Sequence, residues 1–455
     1  MLKGQFHPSK PVEKNKFSKK GGNMKVKKRF RNGFGIASVA LLVLGFVVLL
    51  FPANLALAQE EVVLLIQFGP EADALKPVVE EFNKKEPGVK VTIQEMGRQT
   101  YNPLKERILL SRSPEADLLY TEGNTISSYA ESGTIEPIDH FLSDPELTPA
   151  DFDLEDMLLT LKYKGKAYAH AFDGGSFLLL LYRSDLIPEP PQTWQEVTSL
   201  ARQFTKSHNP DSPTIYGIGW YGSVAKSGPR IHAPMVWEYG GRLIDDAGNV
   251  AFDSPEALKG PEILAGWLEE GLISPEVASW GYTEVKESIE TGVVAMAPAE
   301  WNAAYVNRTG PLKDKIKAAL TPGVGTSLGI NRVTYSCLGL TLMMNKASKH
   351  KKAAWKFLLY LLSDEAQRIY ARNGGTPARF SLLHDLDFAR ELNLPEYYPL
   401  CAKSWQLLGP HPMTPYWTEL FEVSNTALSE IWARKATPKE AFSKAAEKLR
   451  KIMAE

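Results

Sequence analysis

Three stretches of this chain set polar or aromatic groups where a strand should end: Gln67-Phe68-Gly69, Met96-Gly97-Arg98 and Thr121-Glu122-Gly123. Together they offer an aromatic face, a cation, a carboxylate and backbone amides left open by glycine. Such a set suits the holding of a polar solute. A further carboxylate, Asp173, stands before Gly174-Gly175, where φ > 0 and close backbone approach cost little. Covalent chemistry finds weaker support. Gly325-Thr326-Ser327-Leu328-Gly329 has the G-x-S-x-G spacing, but that elbow needs a strand before it and a helix after it. Here Pro322-Gly323 precedes and Asn331-Arg332-Val333 follows. Gly217 to Gly222 fits G-x-G-x-x-G after a strand, yet Pro229 arrives before a convincing helix. The eight histidines show no metal spacing, with no H-E-x-x-H and no Cys-x-x-Cys. No cofactor, metal or catalytic role is therefore expected. A glycosidase pair, defined by carboxylate separation in space, stays open.

The elements that must position these groups alternate. An apolar strand at 62–66 is followed by a helix with Leu75, Val78, Val79 and Phe82 on one face, stopped by Pro87-Gly88. Val89, Val91 and Ile93 alternate as a half-buried strand; a helix near 103–111, a strand at 116–120 and a helix at 124–131 follow. This alternation predicts an α/β sandwich with a mostly parallel sheet, in which ligands sit beyond the carboxyl ends of strands. The chain then loosens at 171–176 and enters a second apolar strand. Helices are expected at 193–206, 230–238 and 254–270, with Ser254 as N-cap and Pro255 at the first position. Gly/Pro breaks recur at 321–323 and 374–378. Strand 338–344 and helices 349–362 and 364–373 lie between them. The tail reads as helices at 396–407, 416–434 and 438–453, the last opened by a Thr437/Glu440 capping box.

Lys25, Lys27, Lys28, Arg29 and Arg31 precede an uncharged run from 32 to 58 ending Ala56-Leu57-Ala58. Basic segment, apolar core and Ala-x-Ala form the secretory signal pattern, with cleavage expected after Ala58. Met24 makes residues 1–23 a candidate upstream extension. A retained membrane anchor is the alternative, since the run is long enough to span. The whole chain carries a net charge of −1, which becomes −11 once the +10 of residues 1–58 is set aside. An acidic exported body argues against nucleic-acid partners. Cys337 and Cys401 are assigned to different lobes and expected as buried free thiols.

Five segments, in order, carry a family resemblance. They are the opening strand and helix ending PGVKV; ADLLY with a helix ending ESGTIEPI; GKAYAHAFDGGSFLLLLYRSDL with PPQTWQEV; ETGVVAMAPAEW; and KHKKAAWKFLLYLLSDEAQRIYARNGGTPAR. The chain resembles the extracellular solute-binding proteins of ABC importers, in the carbohydrate-binding group that includes maltose-binding protein. The resemblance implies a two-lobed periplasmic-binding-protein fold with three hinge crossovers, matching the breaks at 171–176, 321–323 and 374–378. The lobes would be 59–172 with 323–375, and 173–322 with 376–455.

The resemblance also implies a stacking aromatic at Trp301, another at Trp417, and Asp173 as a carboxylate for sugar hydroxyls. Many members have Gly-Gly-Trp where this chain has Ser336-Cys337-Leu338, which leaves Tyr335 as the replacement platform. Sugar recognition wants rings against C–H faces and charged partners on hydroxyls. The candidate ligand-binding residues are therefore Phe68, Arg98, Glu122, Asp173, Trp220, Tyr221, Trp237, Trp301, Tyr335, Gly375 and Trp417. Core packing competes for the tryptophans, and Trp194, Trp267, Trp355 and Trp432 are assigned to it. The expected function is capture of a carbohydrate, a disaccharide or oligosaccharide, between the lobes by a monomer that hands it to the membrane permease of an ABC importer. Two alternatives are a secreted carbohydrate-active enzyme, or a binding protein for a non-sugar solute such as a polyol phosphate. The latter would want more cleft cations than Arg98 and Arg379.

Overall fold

The computed structural model describes residues 59–175, 178–223, 228–299, 303–306 and 308–455. Its strands are, in order, β1 (Glu60–Gln67), β2 (Val89–Met96), β3 (Leu118–Glu122), β4 (Thr160–Tyr163), β5 (Lys166–Asp173) and β6 (Leu179–Arg183). They continue with β7 (Tyr216–Ile218), β8 (Val294–Ala299), β9 (Ile316–Leu320), β10 (Val324–Thr326), β11 (Gly329–Asn331) and β12 (Leu340–Met344). One sheet has the order β2-β1-β3-β12-β5-β4 and the other β7-β8-β6-β9, while β10 and β11 form a separate hairpin. Helices cover both sheets. Pro70–Lys85 buries Leu75, Val78, Val79 and Phe82, the stripe expected from the sequence. The side chain of Ser254 accepts from the amide of Ala257, and Thr437 and Glu440 form a reciprocal capping box.

The sheets are mixed rather than mostly parallel. Among the described strands, β1–β2, β1–β3 and β7–β8 pair in parallel and the other pairs are antiparallel. The reason lies at the edge where the chain passes from sheet to sheet. Leu340, the first residue of β12, lies opposite both Glu122, the last of β3, and Asp173, the last of β5. A strand that enters at the edge where its neighbours leave must run against them. The same holds for β6, whose Leu179 lies opposite Ala299 and Leu320, the ends of β8 and β9.

The connecting segments lie side by side. Gly174 donates its amide to the carbonyl of Thr376 at 2.9 Å, and Leu178 to that of Tyr335 at 2.9 Å. Thr334 Oγ1 donates to the carbonyl of Leu178 at 3.1 Å. Cys337 and Cys401 are buried thiols that are not joined in a disulfide.

Candidate functional site

The end of β2 at Met96 turns at Gly97 into the helix Arg98–Leu110. This helix buries Ile108 and Leu109 and turns Arg98, Tyr101, Asn102, Lys105 and Glu106 toward a cavity of about 460 Å³. Those five positions follow the i, i+3, i+4, i+7, i+8 spacing of one helix face. The end of β3 supplies Tyr120, Thr121 and Glu122, and the following turn and helix supply Thr125 and Tyr129. The facing wall comes from two later helices. Arg230 comes from the helix Gly228–Glu238, and Trp417, Phe421, Glu422 and Asn425 from the helix Trp417–Trp432.

Polar contacts tie the walls together beside the cavity. Arg230 donates to Glu122 at 2.5 Å and lies over the Phe421 ring, 5.0 Å from its centroid. Ser127 Oγ donates to the Thr414 carbonyl at 2.5 Å, and Ser128 Oγ to that of Pro415 at 2.6 Å. Inside the cavity, Tyr129 donates its hydroxyl to Glu106 at 2.5 Å, and Tyr101 donates to the Tyr120 carbonyl. Lys105 lies over the rings of Tyr101 and Tyr129, 5.4 and 5.2 Å from their centroids. Burial lowers its pKa to about 8, opposed by the carboxylates of Glu106 and Glu122. Asn425 is buried, and its Oδ1 has no hydrogen-bond partner among the described residues. The arrangement offers charged donors, an acceptor and ring faces at once, which is equipment for holding a polar solute.

Of the residues singled out from sequence, the structure brings Arg98, Glu122 and Trp417 to this one cavity. Phe68 follows β1 but is 65% exposed and does not line it. Asp173 is buried and accepts from the amides of Gly175 at 2.7 Å and Thr376 at 3.1 Å and from the Tyr370 hydroxyl at 2.8 Å. Burial raises its pKa against those three hydrogen bonds. Gly375 packs so closely on Tyr370 that a Cβ there would fall 2.1 Å from the ring. Trp220 is fully buried against Trp267 and Trp194, at centroid separations of 5.2 and 6.2 Å. Tyr221 is buried as well. Trp237 stacks on Tyr335 with centroids 6.3 Å apart, and His411 packs 4.9 Å from each. Desolvation there lowers the His411 pKa to about 3. Trp301 lies outside the described residues. Arg379 is not a cavity cation: it pairs with Asp156 at 2.7 Å and donates to the Leu362 carbonyl.

Lys105, Tyr129, Arg230, Phe421 and Asn425 went unread in the sequence. The signal for Lys105 was present as a polar stripe on an otherwise apolar-faced helix, seven residues after Arg98. For Arg230 and Asn425 no local signal exists, because only the packing of two distant helices brings them to the cavity.

Residues 69–368 match the family described as bacterial extracellular solute-binding protein. A putative binding protein of Brucella abortus is 24% identical over 359 residues, covering 76% of this chain and 81% of that protein. A maltotriose-binding protein of Pyrococcus abyssi is 25% identical over 299 residues, covering 65% of this chain and 60% of the relative. Among solved structures, maltose-bound MalE3 of T. maritima superposes with a TM-score of 0.73 at 21% identity, over 86% of this chain and 99% of that one. A solute-binding protein of Agrobacterium radiobacter in complex with ribitol gives 0.73 at 22% identity, over 86% and 98%. At these identities the structural likeness establishes a shared two-lobed fold.

Proposed function

Given that this chain belongs to the bacterial extracellular solute-binding protein family, we propose that it captures a carbohydrate between its two lobes and delivers it to the permease of an ABC importer. The observation that carries the reading is the cavity itself: its walls come from different bodies, and Glu122 pairs with Arg230 beside it. A solute that touches both walls favours the closed arrangement by its differential affinity. Relatives that bind maltotriose, maltose and ribitol support a polyhydroxyl solute. The lobes we propose are 59–172 with 323–375, and 173–322 with 376–455. In support, every strand of the six-stranded sheet except its last residue, Asp173, falls in the first set.

The protein acts as a monomer that binds without turnover, has no nucleic-acid partner, and is exported by a signal peptide removed after Ala58. Thermal unfolding of the purified protein against mono- and oligosaccharides and polyols tests the role. A solute that binds only the folded state raises the midpoint with concentration, by about 2.7 kcal/mol of stability at a hundredfold excess over Kd. We expect such a rise with one sugar or polyol group, and recovery of that solute unchanged. Cleavage of the solute would make the protein an enzyme instead.

A further inference from the structure

Lys105 is only 7% exposed, yet its ammonium faces the cavity. It has no hydrogen-bond or salt-bridge partner among the described residues. The nearby carboxylates are engaged: Glu122 with Arg230, and Glu106 with the hydroxyl of Tyr129. The two tyrosine rings hold the ammonium by their faces, which attract a cation but do not neutralise it. A buried ammonium with no hydrogen-bonded partner is costly, even with the carboxylates of Glu106 and Glu122 near enough to act on it. Arg98 stands seven residues earlier on the same helix face, exposed at the cavity rim, and it too lacks an ion pair among the described residues. It occupies the first turn of a 13-residue helix, where the helix dipole adds positive potential. On the opposite wall, the unpartnered Oδ1 of Asn425 wants a hydroxyl donor.

We infer that the solute is an acidic carbohydrate, whose carboxylate or phosphate is received by Lys105 while Arg98 covers its outer side. Its hydroxyl-bearing body then lies toward Asn425 and the ring of Phe421. Glu106 and Glu122 do not undo this. Their charges oppose the lowering of the Lys105 pKa by burial, which leaves it at about 8. The inference rests on the reading of the cavity as the solute site and specifies the solute's charge.

The test is calorimetric titration of the purified protein with matched pairs: glucose against glucuronate and glucose 6-phosphate, ribitol against ribitol phosphate, and maltotriose against a trigalacturonate. A charge-assisted contact predicts that the acidic member of a pair binds at least about tenfold tighter than the neutral one, less so as salt is raised. Whether uronates or phosphates respond identifies the anion. Lys105→Met keeps the apolar stem, and we expect it to reduce the acidic-to-neutral preference about tenfold without lowering the unliganded unfolding midpoint. Should that variant fail to fold, Arg98→Gln at the exposed rim is expected to reduce the same preference about threefold. Neutral members binding as tightly as acidic ones, with the ratio unmoved by either substitution, would overturn the inference and leave the solute-binding reading standing. No response to any member would remove both.

Discussion

Glu238 ends the helix Gly228–Glu238 as a buried carboxyl that accepts from Trp194 Nε1 at 2.7 Å and from the amide of Val333 at 3.0 Å. Burial outweighs these bonds and raises its pKa from an ordinary carboxylate value to about 8. Below about pH 4.5 the group is protonated whether the chain is folded or not, and it contributes no pH dependence. Between there and about pH 8 the unfolded chain ionises first. Folding therefore loses stability as pH rises, by at most about 1.4 kcal/mol per pH unit, and the loss levels off above the folded value. Glu238→Gln should flatten the dependence of unfolding free energy on pH between 5 and 8 relative to the parent, whatever it costs in absolute stability. Parallel curves for the two proteins would show that Glu238 is not the group responsible. The same residue shows why part of the site was illegible. Residue type fixes chemistry but not depth: Trp220 follows a strand and Trp237 stands in the last turn of a helix, as a sugar platform would, yet both are packed into interiors. Arg98 and Glu122 reach the cavity because they stand at a strand's carboxyl edge, which follows from chain alternation alone.

Helices with a clear cap had readable starts, as at Ser254 and Thr437, whereas the helix expected near 103–111 begins at Arg98 behind an uncapped Gly97. Thr437 accepts from the Glu440 amide at 3.3 Å while the Glu440 carboxylate accepts from the Thr437 amide at 2.9 Å. Thr437→Ala removes half of that box at the start of Pro438–Ala454, a helix packed through Phe442 and Leu449. We expect a loss of about 1 kcal/mol, visible as a lower denaturant midpoint at unchanged slope. A variant with the parent's midpoint would mean that tertiary packing alone sets this helix start. Strand direction, by contrast, was not readable. The run Leu340–Met344 is apolar throughout, and such a run says that a strand is buried on both faces without saying from which edge it enters. That edge is decided by where Asp173 and Glu122 leave the sheet, more than 150 residues away in the chain.

At the scale of the molecule, the Glu122–Arg230 pair joins the two walls of the cavity as charges. Truncating one partner of a desolvated, hydrogen-bonded charge pair costs about 2–5 kcal/mol. Arg230→Gln should therefore favour the open arrangement. The expected outcome is a larger radius of gyration by small-angle scattering without solute, and solute affinity reduced at least about tenfold. An unchanged radius would show that the serine contacts to Thr414 and Pro415 suffice to hold the walls together.

The connectors between the sheets share hydrogen bonds, Gly174 with Thr376 and Leu178 with Tyr335 and Thr334. None of them can gain or lose a residue alone without putting its neighbours out of step. The hairpin tip at Leu328, 98% exposed, carries no such constraint. Tolerance to changes in length is thus unevenly distributed: an inserted tag or a drifting loop is accommodated at the tip, while the seam between the bodies has a fixed ruler.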